Sequence, residues 1–518
     1  MHAQPPSRSA LHRFLAVPAA AVIVAAGLLA GCSPDTDPGP GGTDPTSEPL
    51  TLVIGSGATS GPNWDPASKI PDSFLTYAIY DPLLYIDFLT QEATPWVAES
   101  YEWDEARTTL TLHLREGVRF TDGAPYDAQA VVTNIEYVRH NPAADRYSDL
   151  VDVTNVAAVD AQTVQITMTS PDPQFIAYLG MYRIASPAAL QDPDTLSQNP
   201  VGSGPYILDM AQTVADSEYV FVRNPDYWNP GAFPYDIAKV LLIPDNTARI
   251  NALKSGQVDY IAGVTAATAA DVQASGFGVY NQRSLWFGLA MDDVDGDLGS
   301  PIADRRVRQA IAYAIDRETI FDTIDHGLSA GGNQIWTDGQ PFYRPDRANE
   351  YAYDPNKARA LMAEAGYADG FELTIPTFAG WMSEPYQPII GQYLSDIGIT
   401  INWQMGTYPD LVVAWESDTY PVFTIVESFP TTTAQVLYPR GIHNVERWTS
   451  PEINSLLDSY SSGADAAAAQ AAAEIGDIVM DEVWFIVISQ PYQSFGYDLN
   501  KVQVVGDPMY VRAVAPAN

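Results

Sequence analysis

Leu110, Leu112 and Leu114 stand between Thr109, Thr111 and His113, a period of two that predicts a half-buried strand. Glu116-Gly117 turns the chain, Val118 and Phe120 begin another short piece, and Val164, Ile166 and Met168 alternate again. Elsewhere the spacing is helical. Asp127 precedes a run in which Val131, Ile135 and Val138 share one face, the pattern of a capped amphipathic helix. Asp304 opens a second, with Val307, Ala310, Ile311, Ala314 and Ile315 in register. A third is expected from Pro355 to Ala365, with Ala358, Leu361, Met362 and Ala365 inward and Gly366 as its stop. An alanine-rich helix is expected over roughly 464–482, and Thr51 to Gly55 reads as a short apolar strand before a glycine turn. Strands and helices interleave without an internal repeat, so the fold class is mixed α/β with several lobes.

The amino-terminal pattern is different. Arg8 and Arg13 precede an apolar, uncharged run from Leu15 to Ala30, which reads as a secretory signal. At 17 residues up to Gly31 it is marginal for spanning a bilayer. It ends in Leu29-Ala30-Gly31-Cys32, which resembles the bacterial lipobox, where the cysteine is acylated and becomes the new amino terminus. A short membrane anchor and an ordinary cleavage site are the competing readings. Cys32 is the single cysteine of the chain, so a disulfide framework and a thiolate zinc site are both excluded. Residues 33–49 hold five prolines, three glycines and four acids and read as a solvated tether.

Charge narrows the function classes. Among 518 residues, 26 Lys and Arg face 64 Asp and Glu, a formal charge of -38. That balance argues against nucleic acid and against docking on anionic headgroups; acidity of this kind speaks to solubility or a salty habitat. Catalytic motifs are sparse: HExxH, GxxxxGK[ST] and GxSxG do not occur, and the six histidines are scattered. Gly55 to Gly61 nearly matches a dinucleotide fingerprint, but Pro62 and Pro66 follow where a helix must receive the pyrophosphate. Asp293, Asp295 and Asp297 fall at calcium-loop spacing with Asp304 at the twelfth place, yet Leu298 occupies the position of the turn glycine. This makes a weak calcium candidate, and a connector leading into a helix is the plainer reading. Trp64, Trp286, Trp381 and Trp403 stand beside turns or strand ends, where a cleft could use their flat faces for sugars or peptide side chains alike. No cofactor is expected.

Several collinear stretches then carry a resemblance. These are Leu110 to Pro125, Asp127 to Val138, Pro200-Val-Gly-Ser-Gly-Pro-Tyr206, Arg223-Asn-Pro-Asp-Tyr-Trp228, Ala252 to Asp259, Asp304 to Arg317 and Tyr353 to Tyr367. Together they resemble the extracytoplasmic solute-binding proteins of family 5, the dipeptide/oligopeptide-binding type that serves ABC importers. The resemblance implies an α/β fold of the two-lobed periplasmic-binding-protein type (class II, large cluster, with an extra subdomain in lobe I). The expected bounds are 1–31 for the signal and 32–49 for the lipidated Cys32 and tether. Residues 50–90, 176–285 and 490–518 are expected to form the lobe I core, 91–175 the extra subdomain, and 286–489 lobe II.

The same resemblance implies a lipid-anchored, monomeric receptor on the extracytoplasmic face. It would capture a peptide-like solute between hinged lobes and deliver it unaltered to ABC permease subunits, so it is expected not to be an enzyme. Peptide-binding members carry a Trp-rich segment and an acidic stretch late in the second lobe, where an aspartate receives the peptide ammonium through a charge-assisted bond. Here that region reads Tyr420 to Thr433, with Ser428, Thr431 and Thr432 in place of the usual acids. Glu427 is the nearby carboxylate; it either takes over the ammonium or is a structural acid. Glu427, Phe429 and Thr431 join the four tryptophans as candidate ligand contacts. An oligosaccharide is the alternative cargo, and a secreted lipoprotein hydrolase with a carboxylate or Ser/His pair is the alternative class.

Overall fold

The computed structural model describes residues 48–59, 61–68, 73–87, 92–141, 144, 150–172, 174–378, 384–416, 419–437, 450–461, 466–506 and 511–517. Met1–Glu48 groups apart from Pro49–Asn518, and the architecture below is that of the second unit. Cys32, the signal, nearly all of the tether and Trp381 lie outside the described residues. No helix among the described residues is long and apolar enough to cross a membrane.

A seven-stranded sheet is built around Thr51–Ser56, which pairs in parallel with Ile237–Leu242 on one side and Tyr260–Val264 on the other. A parallel strand is covered on both faces, which is why its sequence is almost wholly apolar. Leu52 and Ile54 enter one core with Trp64, Phe221 and Phe495. The helices Asn246–Lys254 and Ala266–Ala274 supply Ile250, Leu253, Ala269 and Val272 to another, with Ile261 and Val264. The glycine turn after the first strand receives no phosphate helix: the next helix begins only at Ser73. Instead the guanidinium of Arg249 fills it, donating to the carbonyls of Ile243 at 2.6 Å and Ala262 at 2.9 Å. A Cβ on Gly57 would stand 3.0 Å from that guanidinium, so glycine is required there for close approach.

A four-stranded antiparallel sheet lies within the next segment of chain. Thr109–Leu114 is flanked by Ala98–Trp103 and Thr163–Met168, with Val153–Ala158 at the edge. Both expected strands alternate half-buried and buried residues. The helix Ala128–Arg139 packs beside them, capped by Asp127, whose carboxylate accepts from the Ala130 amide at 2.9 Å.

Farther along, Leu285–Met291 runs at the centre of a three-stranded sheet between Val422–Ser428 and Phe485–Ser489. A parallel pair, Phe371–Phe378 with Ile399–Gly406, lies beside it. The helices Arg305–Ala314 and Pro355–Glu364 start at Asp304 and Asp354, both of which accept backbone amides. Gly366, at φ +92, sits just beyond the second, where a left-handed residue ends a helix. The alanine-rich helix spans Ala466–Glu482. The fold is thus of the two-lobed α/β binding-protein type, with one lobe gathered around each of the two larger cores.

Candidate functional site

The chain passes between the seven-stranded and three-stranded sheets at two places, and each time one strand leads almost directly into the next. Gly278–Arg283 is the edge of the first sheet and Leu285–Met291 the centre of the second, with only Ser284 between them. Phe485–Ser489 of the second sheet continues into Tyr492–Tyr497 of the first through Gln490 and Pro491. The two crossings lie side by side, because Arg283 pairs with Tyr492 and Gln282 with Gln493.

Polar side chains buried at these crossings are held from the three-stranded side. Asp325, 2 % exposed, accepts from the Tyr386 hydroxyl at 2.7 Å and from Ser489 Oγ at 2.6 Å. Burial, and next the charge of Asp325, pushes the Tyr386 phenol well above its usual pKa, so it remains a donor. The Gln490 side chain donates to the Gln334 carbonyl at 2.9 Å, while its own carbonyl accepts from Ala330 at 2.9 Å. Arg283 donates to Thr337 Oγ1, and the Ser284 carbonyl accepts from the Phe429 amide at 2.9 Å. Arg317 holds the incoming strand by donating to the Val487 carbonyl at 2.7 Å; its burial lowers the guanidinium pKa to about 10, which leaves it charged at neutral pH.

Gln282, Ser284 and Trp286 are the buried positions along the first crossing, while Asn281, Arg283 and Leu285 are exposed or half-buried. That alternation puts the three on one face, and the register sets Glu427 opposite Trp286 on the same face. Glu427 is 8 % exposed. The Ser284 hydroxyl is buried and has no hydrogen-bond partner among the described residues, an unmet demand that is unusual in a folded interior. The first candidate site is therefore a polar strip, Gln282, Ser284 and Glu427, where the chain passes from one sheet to the other.

The other expected contacts fall differently. Trp64 is 2 % exposed and packs edge-on against Tyr219 and Phe221, each ring 6.3 Å away. Trp286 is fully enclosed and donates its indole N–H to Thr432 Oγ1 at 3.0 Å; Thr432 in turn donates to the Ser428 carbonyl at 2.8 Å. Neither ring has a free face. Trp403 is half-buried on its strand against the second core. Phe429, 1 % exposed, starts the helix Phe429–Leu437, within which Thr431 lies. The acidic run is a turn: both oxygens of Asp293 accept backbone amides, from Leu298 and Ser300, each at 2.9 Å, and Asp295 and Asp297 are exposed. No group of three or more His, Cys, Asp or Glu that could hold a metal ion occurs among the described residues. Ser284, Asp325, Tyr386 and Gln490 were not foreseen, since nothing local in the sequence marks where a strand changes sheets.

Comparison with known proteins agrees with this architecture. Residues 92–434 match the family described as bacterial extracellular solute-binding proteins, family 5 Middle. The chain is 28% identical over 328 residues to heme-binding protein A of Haemophilus influenzae, covering 57% of each chain. It is 30% identical over 294 residues to the glutathione-binding protein GsiB of Escherichia coli O1:K1, covering 54% of each. The matched region is thus little more than half the length of either relative. Among solved structures, NikA from Brucella suis in complex with Fe(III)-EDTA superposes with a TM-score of 0.78 at 20% identity, covering 90% of this chain and 99% of that one.

Proposed function

The chain belongs to the bacterial extracellular solute-binding proteins of family 5, and from that premise we propose that it is the substrate-binding receptor of an ABC importer for short peptide-like solutes. Members of the family bind and hand over a solute and are not enzymes. The observation that carries the reading is the pair of adjacent strand crossings, with buried polar groups that face the passage between two sheets. Two parallel connections restrict relative motion to a hinge, and a solute that touches both sides draws the hinge toward closure by its differential affinity. In this reading 50–90, 176–285 and 490–518 form lobe I, 91–175 its extra subdomain, and 286–489 lobe II. Cys32 carries lipid that holds the receptor on the extracytoplasmic face, since more than one acyl chain gives lasting anchorage.

A peptide fits better than a sugar. Trp64 and Trp286, two of the four aromatic platforms that sugar stacking would use, are enclosed. Glu427 supplies a carboxylate for an α-ammonium in a water-poor setting, where a charge-assisted bond is strong. The relative that binds glutathione, itself a peptide, points the same way. The test is titration of the purified receptor with a pool of tri- to pentapeptides, followed by mass spectrometry of the released solute. Binding is expected, with the solute recovered unaltered. Glu427→Gln should cost about 1.5–3 kcal/mol, roughly 10- to 150-fold in affinity. N-acetylation of the peptide should cost a similar amount, and the two changes together little more than either. Hydrolysis of the peptide would overturn the receptor reading; full additivity of the two changes would remove Glu427 from the ammonium site.

A further inference from the structure

The crossings have a second face. Leu285 and Trp286 are neighbours on one strand, so their side chains leave on opposite sides. Trp286 goes toward Thr432 and Glu427, whereas Leu285 lines a cavity of about 700 Å³. One wall of that cavity is the end of Tyr260–Val264 and the start of the helix Ala266–Ala274, both belonging to the seven-stranded side. The facing wall is the end of Arg317–Thr323 with Ile324, Leu328 and Tyr386, from the three-stranded side. The floor is the second crossing, at Pro491 and Tyr492.

The volume lies within the range of small-molecule sites, and the lining defines what fits. Val264, Leu285, Ile324, Leu328 and Pro385, with the rings of Tyr386 and Tyr492, offer apolar contact on several sides. The one carboxylate there, Asp325, is buried with an oxygen bound by Tyr386 and the other by Ser489. It disfavours an anion by its charge, and it already holds a donor on each oxygen that a cation would have to displace. An uncharged, mostly apolar solute meets neither cost.

We propose that this cavity is a second solute site, distinct from the strip of Gln282, Ser284 and Glu427, that takes a compact uncharged aromatic or branched molecule. Its walls come from both sides of the crossings, so its occupant touches both lobes and its affinity depends on the angle between them. A ligand of that kind and the solute of the main cleft influence each other's binding reciprocally. The inference concerns a different face from the proposed peptide site and stands whether or not that site takes peptides.

The probe is N-phenyl-1-naphthylamine, neutral and apolar, whose fluorescence rises on leaving water. Titrated into the full protein, it should bind saturably at one site per chain. Ala267 and Thr323 are exposed rim positions on opposite walls, so Ala267→Trp and Thr323→Trp fill the cavity from either side without entering a core. Each is expected to weaken the probe at least tenfold while leaving the circular dichroism spectrum and melting temperature unchanged. If one variant fails to fold, the other decides. Absence of saturable binding, or binding that a folded variant leaves within twofold of the parent, overturns the site.

Discussion

Asp81 is the most demanding buried charge in the structure. It is 1 % exposed and receives four hydrogen bonds. Trp96 Nε1 at 2.8 Å and the Tyr227 hydroxyl at 2.7 Å reach one oxygen; Ser203 Oγ at 3.1 Å and Trp228 Nε1 at 3.2 Å reach the other. Burial outweighs those bonds, and the carboxyl pKa is raised from 3.8 to about 6. A shift of about two units is worth roughly 3 kcal/mol. The sign follows from proton uptake: between pH 3.8 and about 6 the folded state holds a proton that the unfolded state has released, so stability falls as pH rises through that window. Above it the full cost of the charge is present; below it the cost is gone. Asp81→Asn removes the titration but also sets an N–H against an indole N–H, since each oxygen faces one tryptophan and neither indole can accept. The variant should be less stable than the parent at every pH, by about 1–3 kcal/mol from the lost bond less the relief of the charge at neutral pH. The gap between the two proteins should widen by about 2 kcal/mol on going from pH 7.5 to pH 4.5, because only the parent gains from protonation. Urea unfolding followed by tryptophan fluorescence measures it. A gap that is constant across that range would refute the assignment of the titration to Asp81.

Two further outcomes are expected. Cys32→Ala should move the protein from the membrane fraction to the medium or periplasm in fractionated cells; retention by the membrane would show that the apolar run at Leu15 to Ala30, not a lipid on Cys32, is the anchor. Amide hydrogen exchange at Gln282 and Gln493 should respond to peptide binding more than exchange at Ser489 and Gln490, where bonds to Asp325, Gln334 and Ala330 hold the chain; an equal response at all four would refute a localised bend.

What the sequence made legible was whatever is encoded locally. The strand Thr109–Leu114 and the helix after Asp127 declare themselves within a few residues, one by alternation and the other by an apolar face behind a cap. The tryptophans show the limit. A place beside a turn or strand end does not say which side of the sheet a ring takes, and the core claimed Trp64 and Trp286 because an indole buries more apolar area there than at a rim. Thr432 was read as a lost acid, yet it serves as the acceptor that lets the Trp286 indole be buried. Asp81 was invisible among 64 acids, since its tryptophan partners stand 15 and 147 residues away in the chain. The crossings were invisible for a related reason. Gln282-Arg283-Ser284-Leu285-Trp286 contains no Gly or Pro to mark a break, and whether two consecutive strands share a sheet is decided by partners hundreds of residues distant.

Those partners also fix where the proposed hinge bends. On the three-stranded side the clamp extends outward through Ser489 and Gln490 to Tyr492, whose amide donates to the Leu328 carbonyl at 3.1 Å. It likewise reaches Ser284 through Phe429 and Arg283 through Thr337. On the seven-stranded side the hold begins at Ser494, which pairs with Val264 and donates to the Asn281 side chain at 2.7 Å. Between the two clamps lies a single cross-strand pair, Gln282 and Gln493. A two-stranded ribbon one pair long is easy to twist, because bending it breaks no sheet bond on either side, while every longer alternative must rupture one of the clamps at about 0.5–1.5 kcal/mol per bond. Pro491 adds to this by offering no amide for either sheet to capture. The compliance that a clamshell receptor needs is thereby confined to one pair of residues, with the polar strip on one face of the ribbon and the apolar cavity on the other.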